Sequence, residues 1–164
     1  DWSLEEILEG VENPLLMILE DLQDPGNLGT IIRTGEGAGI TGVILSRTSV
    51  DVFNPKVIRS TMGSVYRVPV LYVDSIEKEV LSVLKTHGIT TYAAHLKGKN
   101  NYDQEDYGKG TAFFIGNEGN GLTDSLTACA DTLIKIPMEG QVESLNAAMA
   151  SGILMYEAAR QRRV

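Results

Sequence analysis

Short apolar runs separated by polar, glycine-containing segments recur along the whole chain. Residues 15–19 are wholly apolar, and further runs rich in apolar residues cover 43–45, 68–73, 89–94, 111–115 and 132–136. Runs of this length between turn-forming residues are typical of buried strands. The pattern therefore predicts six strands.

Capping residues and helical periodicity mark most of the segments between these runs. Ser3 and Glu6 have the spacing of a capping box, Asn54 precedes Pro55 at a first helical position, and Ser75 precedes an apolar face with helical repeat. We predict helices over residues 4–9, 27–38, from 55 onward, 76–87, 123–130 and 144–160. Because strands and helices alternate, the predicted fold class is α/β, with a parallel sheet covered on both faces.

Two segments fall outside this alternation. The polar segment 97–110 shows no periodic apolar face, and we predict that it is a mobile loop. Residues 1–13 precede the first strand and contain only one short predicted helix. We interpret residues 1–13 as a linker or interdomain remnant and residues 14–164 as one domain.

Charge is the feature of composition that changes this picture. The chain has 164 residues, 43% of them hydrophobic, and a formal net charge of -8. Residues 1–24 contain eight acidic side chains and no Lys or Arg, so the rest of the chain is neutral. Basic side chains that could meet phosphates are Arg33, Arg47, Lys56, Arg59, Arg67 and the arginines of the segment 160–163. Scattered, solvated charges are the alternative interpretation.

Several protein classes are disfavoured by the sequence. No apolar run approaches the ~20 residues that cross a bilayer, and the first residues do not form a secretory signal. The single cysteine, Cys129, cannot form an internal disulfide, and no Cys/His cluster has metal-ligand spacing. We therefore expect a cytoplasmic protein without a membrane or metal partner. We interpret Cys129 as a packing residue, and neither His87 nor His95 as catalytic.

Three polar loops follow predicted strands, where parallel α/β sheets bind their ligands. They cover residues 21–29, which lead to Arg33, residues 116–122 and residues 136–146. The second loop lacks both the dinucleotide fingerprint and the P-loop ending, and Glu118 would repel phosphates, so a neutral or cationic ligand suits it better. Taken singly, each loop has a simpler explanation: a tight turn around Glu118, a surface arginine at Arg33, and helix capping by Ser144 or Asn146.

Together, the three loops resemble, in order and spacing, the motifs of the SpoU/TrmH family of S-adenosylmethionine-dependent RNA ribose methyltransferases, within the SPOUT superfamily. The corresponding segments are 27–29 with 33–34, then 116–119 with 121–122, and finally 136–138 with 143–146. The resemblance covers about residues 14–163. It departs from the family pattern at Ala148, where many members carry a second serine.

The resemblance implies more than the residue pattern can show. It implies a parallel sheet whose C-terminal segment threads a deep trefoil knot, a rare exception among folds. It implies a homodimer that binds S-adenosyl-L-methionine in the knotted loops and completes its active site across the interface. The implied reaction methylates a ribose 2′-hydroxyl of RNA, with ribosomal RNA favoured and transfer RNA as the alternative.

Site residues follow from the same family analogy. The implied catalytic residues are Asn27, Arg33, Glu118, Ser144 and Asn146. The implied cofactor-binding residues are Gly116, Asn117, Gly119, Ile136, Met138 and Leu145. Since an arginine side chain has a pKa of about 12.5–13.8, we interpret Arg33 as a phosphate clamp and a stabiliser of the developing alkoxide, not as a general base.

Two other protein classes compete with this interpretation. One is a binding module of the same fold that no longer transfers methyl groups, and the other is a nucleotide-binding α/β domain with an accidental motif match. The retained motif residues argue against the binding module. The missing phosphate fingerprint argues against the nucleotide-binding domain.

Overall fold

A computed structural model describes residues 2–141 and 145–164 of the chain. The strands are β1 (Leu15–Leu19), β2 (Gly42–Ser46), β3 (Val70–Val73), β4 (Thr90–Ala94), β5 (Asn100–Asn101), β6 (Thr111–Ile115) and β7 (Thr132–Lys135). Within these residues the strands form one parallel sheet of seven in the order β3-β2-β1-β6-β4-β7-β5. The predicted parallel α/β fold is confirmed.

The first strand lies inside the sheet, between β2 and β6. Its register pairs Met17 with Val43 of β2 on one side and with Phe113 of β6 on the other. Alternate residues of a strand point to opposite faces, so this wholly apolar run supplies side chains to two separate cores. All five of its residues are buried, as the uninterrupted apolar run predicts.

Helices cover both faces of the sheet. They are α1 (Leu4–Leu8), α2 (Pro25–Ala38), α3 (Pro55–Thr61), α4 (Ile76–Glu79), α5 (Leu81–Thr86), α6 (Asp124–Cys129) and α7 (Ala147–Arg163). One core contains apolar side chains of α2, α3 and α7, and the other contains those of α1, α4, α5 and α6. The predicted capping box of α1 is present, with Ser3 and Glu6 bonding each other's backbone.

Local capping explains where the helix boundaries differ from the prediction. The Asp24 side chain accepts the N–H of Gly26 at 2.7 Å, so α2 begins at Pro25, two residues before its predicted start. The C-terminal helix begins at Ala147, after the cap Asn146, and not at residue 144. The segment predicted as one helix after residue 75 is divided at residue 80 into α4 and α5.

The polar segment 97–110 is more structured than the predicted mobile loop. Asn100 pairs with Ile134 of β7, so the segment contributes β5 to the sheet, and a short 3-10 turn, Tyr102–Gln104, follows. Tyr107 is fully buried, with its ring centroid 5.0 Å from those of Tyr92 and Phe113. One buried aromatic ring leaves no periodic signal in the sequence. For this reason the sequence pattern did not reveal that the segment 97–110 is ordered against the sheet.

The end of α7 is tied to the beginning of the sheet by a single arginine. The Arg162 guanidinium donates hydrogen bonds to the carbonyl oxygens of Asn13 (2.7 Å), Pro14 (3.2 Å), Tyr107 (2.9 Å) and Lys109 (2.8 Å). These carbonyls lie just before β1 and β6. Arg162 therefore joins the C-terminal helix to the entry points of two central strands.

Candidate functional site

The loop after β1 and the loop after β6 are hydrogen-bonded at the carboxyl ends of these neighbouring strands. The Glu118 carboxylate accepts the backbone N–H groups of Gln23 (3.0 Å) and Asp24 (2.7 Å). It also accepts the side-chain amide of Asn27 at 3.4 Å. The first two loops therefore meet at one edge of the sheet.

The third loop joins this network through an asparagine. The Asn146 side-chain amide donates to Oδ1 of Asn27 at 3.1 Å, while Oδ1 of Asn146 accepts the N–H of Met149 at 2.9 Å as the cap of α7. Asn146 thus caps a helix and holds Asn27 in place at the same time. The network Glu118–Asn27–Asn146 contains one residue from each loop.

The environment of Glu118 keeps its carboxylate charged. Partial burial raises the pKa of Glu118. Hydrogen bonds from the N–H groups of Gln23 and Asp24 and from the Asn27 amide lower the pKa by more than burial raises it, so the pKa lies below its usual range. The carboxylate also lies at the N-terminus of α2, where aligned peptide dipoles favour negative charge. Its charge is therefore directed at the backbone of the first loop.

Asn117 gives the glycine-containing loop its shape. Asn117 and Gly121 exchange two backbone hydrogen bonds, of 3.1 and 2.8 Å. The Asn117 side-chain oxygen accepts the N–H groups of Gly119 (2.9 Å) and Asn120 (3.0 Å), and its amide donates to the carbonyl of Asp21 at 2.9 Å. One side chain thus closes the loop and attaches it to the loop after β1.

Gly116 permits a close approach of two backbone segments. A Cβ atom at this position would lie 2.2 Å from both the carbonyl carbon of Gly121 and the nitrogen of Leu122. Neither of these backbone atoms can move without moving the loop. Glycine at residue 116 is therefore required by this loop conformation.

A further carboxylate, which the sequence analysis did not single out, fastens the far end of the loop. Glu20 follows β1 directly and accepts both the N–H (2.8 Å) and the hydroxyl (2.9 Å) of Thr123. Thr123 is also the cap of α6. Glu20 lies in an acidic segment, where one carboxylate is not distinctive by pattern, and only the pairing of β1 with β6 reveals its partner.

A cleft of about 330 Å³ opens beside this network. Its lining includes the loop 116–122, the end of β4 and the start of α7. All six residues predicted to bind the cofactor lie in its wall: Gly116, Asn117, Gly119, Ile136, Met138 and Leu145. The volume falls within the range of about 300–1,000 Å³ that small-molecule sites usually have.

One of the predicted catalytic residues, Arg33, is not part of this arrangement. Arg33 is the ninth residue of α2, about 12 Å along the helix axis from Pro25, and it therefore lies away from the loop that precedes the helix. Its side chain is exposed and does not line the cleft. Ser144 lies outside the described residues.

The histidines and the cysteine are placed by the structure as follows. His95 lines the cleft, and its Nδ1 accepts the N–H of Lys97 at 3.0 Å. His87 is bonded to the Val83 carbonyl at 2.9 Å. Cys129 is exposed, so its interpretation as a packing residue is wrong; it ends the short, one-sided helix α6, whose buried contact is Leu126.

The described residues offer neither a metal cluster nor a membrane-spanning helix. Across 2–141 and 145–164, no group of three or more His, Cys, Asp or Glu side chains is placed to hold a metal ion. In the same part of the chain, none of the helices has the length and apolar character needed to cross a bilayer.

Comparison with known proteins places this geometry in context. The chain is 37% identical, over 86% of its length, to the 23S rRNA (guanosine(2553)-2'-O)-methyltransferase RlmP of Bacillus subtilis, and 34% identical, over 99%, to the 23S rRNA (guanosine-2'-O-)-methyltransferase RlmB of Ralstonia nicotianae. It spans 56% and 65% of the lengths of these two relatives.

A solved structure is similar over nearly the whole chain. The SpoU methyltransferase AviRb from Streptomyces viridochromogenes, in complex with the cofactor AdoMet, superposes with a TM-score of 0.90 at 32% identity, covering 98% of this chain and 62% of AviRb. Residues 14–156 also match the family described as the SpoU rRNA Methylase family. Hydrogen bonds join residues of the three motif loops beside one cleft, and the family match covers most of the chain; the chain therefore belongs to the SpoU family.

Proposed function

We propose that the chain transfers a methyl group from S-adenosyl-L-methionine to a ribose 2′-hydroxyl of ribosomal RNA. The observation that carries the proposal is the cleft lined by all six expected cofactor residues, directly beside the network Glu118–Asn27–Asn146. Family membership and the names of RlmP and RlmB support the same reaction and substrate. Transfer RNA is the alternative substrate.

The cleft fits the proposed cofactor. Apolar side chains of Ile136, Met138 and Leu145 form part of its wall, and the backbone of the loop 116–122 supplies polar groups without bulky side chains at Gly116 and Gly119. Such a combination suits a nucleoside with a cationic sulfonium centre. When bound, S-adenosyl-L-methionine supplies the methyl group; the protein residues hold and orient the two reactants.

Each residue of the network has a separate proposed task. Glu118 anchors the first loop on the second, Asn27 bridges Glu118 and Asn146, and Asn146 fixes the start of α7. We assign Arg33 to the RNA, where its guanidinium binds phosphate and stabilises negative charge on the attacking oxygen. Ser144 stays a predicted site residue.

We further propose a homodimer whose active site is completed by the second copy. Arg33 lies outside the cleft of its own chain and is exposed to solvent, which supports its use in the cleft of a partner. Family membership supports the same arrangement. In such a dimer, α2 would carry Arg33 across the interface.

The knot, the domain division and the location are part of the same proposal. Family membership supports a C-terminal segment that threads a trefoil knot. The family match begins at residue 14, which supports residues 14–164 as the catalytic domain and residues 1–13 as a linker. The exposed thiol of Cys129 supports a reducing, cytoplasmic location.

The primary test measures cofactor binding and methyl transfer separately. Calorimetry with S-adenosyl-L-methionine and with ATP distinguishes the proposed site from a nucleotide-binding domain. Incubation of the full-length protein with total RNA and labelled cofactor, followed by mapping of the methylated nucleotide, distinguishes ribosomal from transfer RNA. A folded protein that binds the cofactor but labels no RNA would be a binding module, and the proposed reaction would be wrong.

Subunit complementation tests the position of Arg33. Arg33→Ala should reduce methyl transfer by roughly 10² or more and leave cofactor affinity nearly unchanged. Mixed with a Gly116→Ala variant, at a cofactor concentration that leaves the weakened cleft of that variant largely empty, it should regain about a quarter of wild-type activity, because half of the randomly formed dimers contain one intact shared site. No recovery on mixing, with dimers shown to exchange, would place Arg33 in the active site of its own chain.

A further inference from the structure

Three ionisable side chains stand in the described wall of the cofactor cleft. They are His95, Glu118 and Lys135. The Glu118 carboxylate is bonded to the backbone of the first loop, and Nδ1 of His95 accepts the N–H of Lys97 at 3.0 Å. Lys135 is the charged residue of this wall to which the proposed function assigns no task.

Three strands and a turn hold the backbone of Lys135 in place. Lys135 is the last residue of β7 and pairs with Asn101 of β5, while the preceding Ile134 pairs with Ala94 of β4. The turn after β4 packs on the same backbone: a Cβ atom at Gly98 would lie 2.6 Å from the carbonyl carbon of Ile134 and 2.9 Å from the nitrogen of Lys135. The base of the Lys135 side chain is therefore fixed beside the cleft.

The ammonium group of Lys135 is not neutralised by a carboxylate of the described residues. None of the ion pairs found across 2–141 and 145–164 includes it, and the residue is exposed. The next acidic residue along the chain, Glu139, does not line the cleft. Within this part of the chain, Lys135 thus gives the wall a positive charge that can bind a ligand.

Glu118 and Lys135 lie at opposite sides of the cleft. Glu118 follows β6 and is bonded to the loop after β1, whereas Lys135 ends β7. In the strand order β1-β6-β4-β7, β4 separates the two strands that carry these charges, so β6 and β7 are about 10 Å apart. The network Glu118–Asn27–Asn146, beside which the proposed methyl transfer takes place, is on the Glu118 side.

The chemistry of the proposed cofactor selects the group that meets Lys135. S-adenosyl-L-methionine joins an adenosine and an amino-acid end at its sulfonium centre, and the carboxylate of the amino-acid end is its only anionic group. The apolar side chains of Ile136, Met138 and Leu145 suit the adenosine, whereas an ammonium group suits the carboxylate through a charge-assisted hydrogen bond.

We propose that Lys135 binds the carboxylate of the cofactor's amino-acid end. The charged end of the cofactor then stays at the exposed side of the cleft, while the adenosine occupies the apolar part. Lys135 would thereby favour the complete cofactor over nucleosides that lack the amino-acid end. This inference rests on the proposed function for the identity of the ligand, but it concerns binding and requires no methyl transfer.

A pair of ligands isolates the contribution of the carboxylate. S-adenosyl-L-homocysteine carries the amino-acid end, whereas 5′-methylthioadenosine keeps the adenosine and the thioether and lacks that end. In calorimetry, Lys135→Met should bind S-adenosyl-L-homocysteine about fivefold more weakly than the wild type, the upper range for an ion pair open to solvent. Its affinity for 5′-methylthioadenosine should be unchanged. Lys135→Arg should retain affinity for both ligands, since a guanidinium group also binds a carboxylate.

Lys99→Met is the matched control, because Lys99 is an exposed lysine of the neighbouring segment that does not line the cleft. It should bind both ligands as the wild type does. Added salt should weaken binding of S-adenosyl-L-homocysteine by the wild type more than by Lys135→Met, since salt screens the charge that the variant lacks. Both lysines are exposed, so thermal melting of the variants should be unchanged.

Three results would overturn the inference: affinity of Lys135→Met for S-adenosyl-L-homocysteine within twofold of the wild type, an equal loss of affinity for both ligands, or the same loss in Lys99→Met. A selective loss in Lys135→Met, with no methyl transfer to RNA by the wild type, would support the carboxylate contact and refute the proposed reaction. A folded wild type that binds neither ligand would overturn both.

Discussion

Replacing Gly116 with alanine tests whether the shape of the loop 116–122 creates the cofactor cleft. The added Cβ would lie 2.2 Å from the backbone of Gly121 and Leu122, whereas ordinary van der Waals contacts begin near 3.4 Å. The loop must therefore shift by about 1 Å, a displacement that is enough to impair a preorganised site. The shift acts on the two backbone hydrogen bonds between Asn117 and Gly121.

The expected magnitude follows from those two bonds. Loss of two neutral hydrogen bonds costs about 1 kcal/mol each, and about 2 kcal/mol corresponds to a loss of about 30-fold in affinity. We expect the dissociation constant of S-adenosyl-L-methionine to rise by this factor, because the displaced backbone forms one wall of the cleft. The rest of the fold should remain, since the buried residues of both cores lie outside the loop and only Leu122 of the loop packs against one of them.

Isothermal titration calorimetry of the folded variant provides the measurement. Gly152→Ala is the matched control: its Cβ would meet only Thr34 Cγ2, at an ordinary 3.7 Å, inside helix α7. This control should bind the cofactor normally and raise the free energy of unfolding by about 0.5–1 kcal/mol, since glycine is unfavourable in a helix. Cofactor affinity of Gly116→Ala within threefold of the wild type would refute the reasoning about the loop.

The remaining predictions concern two charged side chains. Arg162→Ala should lower the free energy of unfolding by about 2–4 kcal/mol, because four backbone carbonyls lose a charged donor. Chemical denaturation measures this free energy. A decrease below about 1 kcal/mol would contradict the prediction. The lowered pKa of Glu118 stabilises the fold above its ordinary pKa of about 4.5, and this contribution disappears as the pH falls through the lowered value. Glu118→Gln should therefore melt at a lower temperature than the wild type near neutral pH, with a difference that shrinks in acid; a difference independent of pH would show that the charge is unimportant.

The strands and the covered sheet could be predicted because their signal is local. The run 15–19 is apolar at every position, and burial on both faces is the arrangement that satisfies it. The predicted helix boundaries were less accurate where a single side chain decides the boundary, as Asp24 does for the start of α2. The burial of Tyr107 depends on Tyr92 and Phe113, which lie on two different strands, and no short window of sequence contains that information.

The site was predictable as a set of segments, but not as a set of contacts. Loop positions at strand ends follow from the alternation of strands and helices, and the motif resemblance selects Asn27, Glu118 and Asn146 among the polar residues. The bond between Glu118 and the backbone of Asp24 requires β6 to lie beside β1, which is a matter of strand order. The same is true of Glu20 and Thr123.

The position of β6 between β1 and β4 has a consequence for synthesis of the chain. The first three strands pair with near neighbours in sequence, but Leu15 of β1 pairs on its other side with Thr111, and β4 has only later strands as partners. While the ribosome is still adding residues before 115, the most apolar strand of the protein therefore presents an open edge. Arg162 can contact Asn13 only after residue 162 has emerged. Ordering of the sheet centre is thus a late, long-range event, and β1 is the segment from which we expect aggregation of unfinished chains to begin.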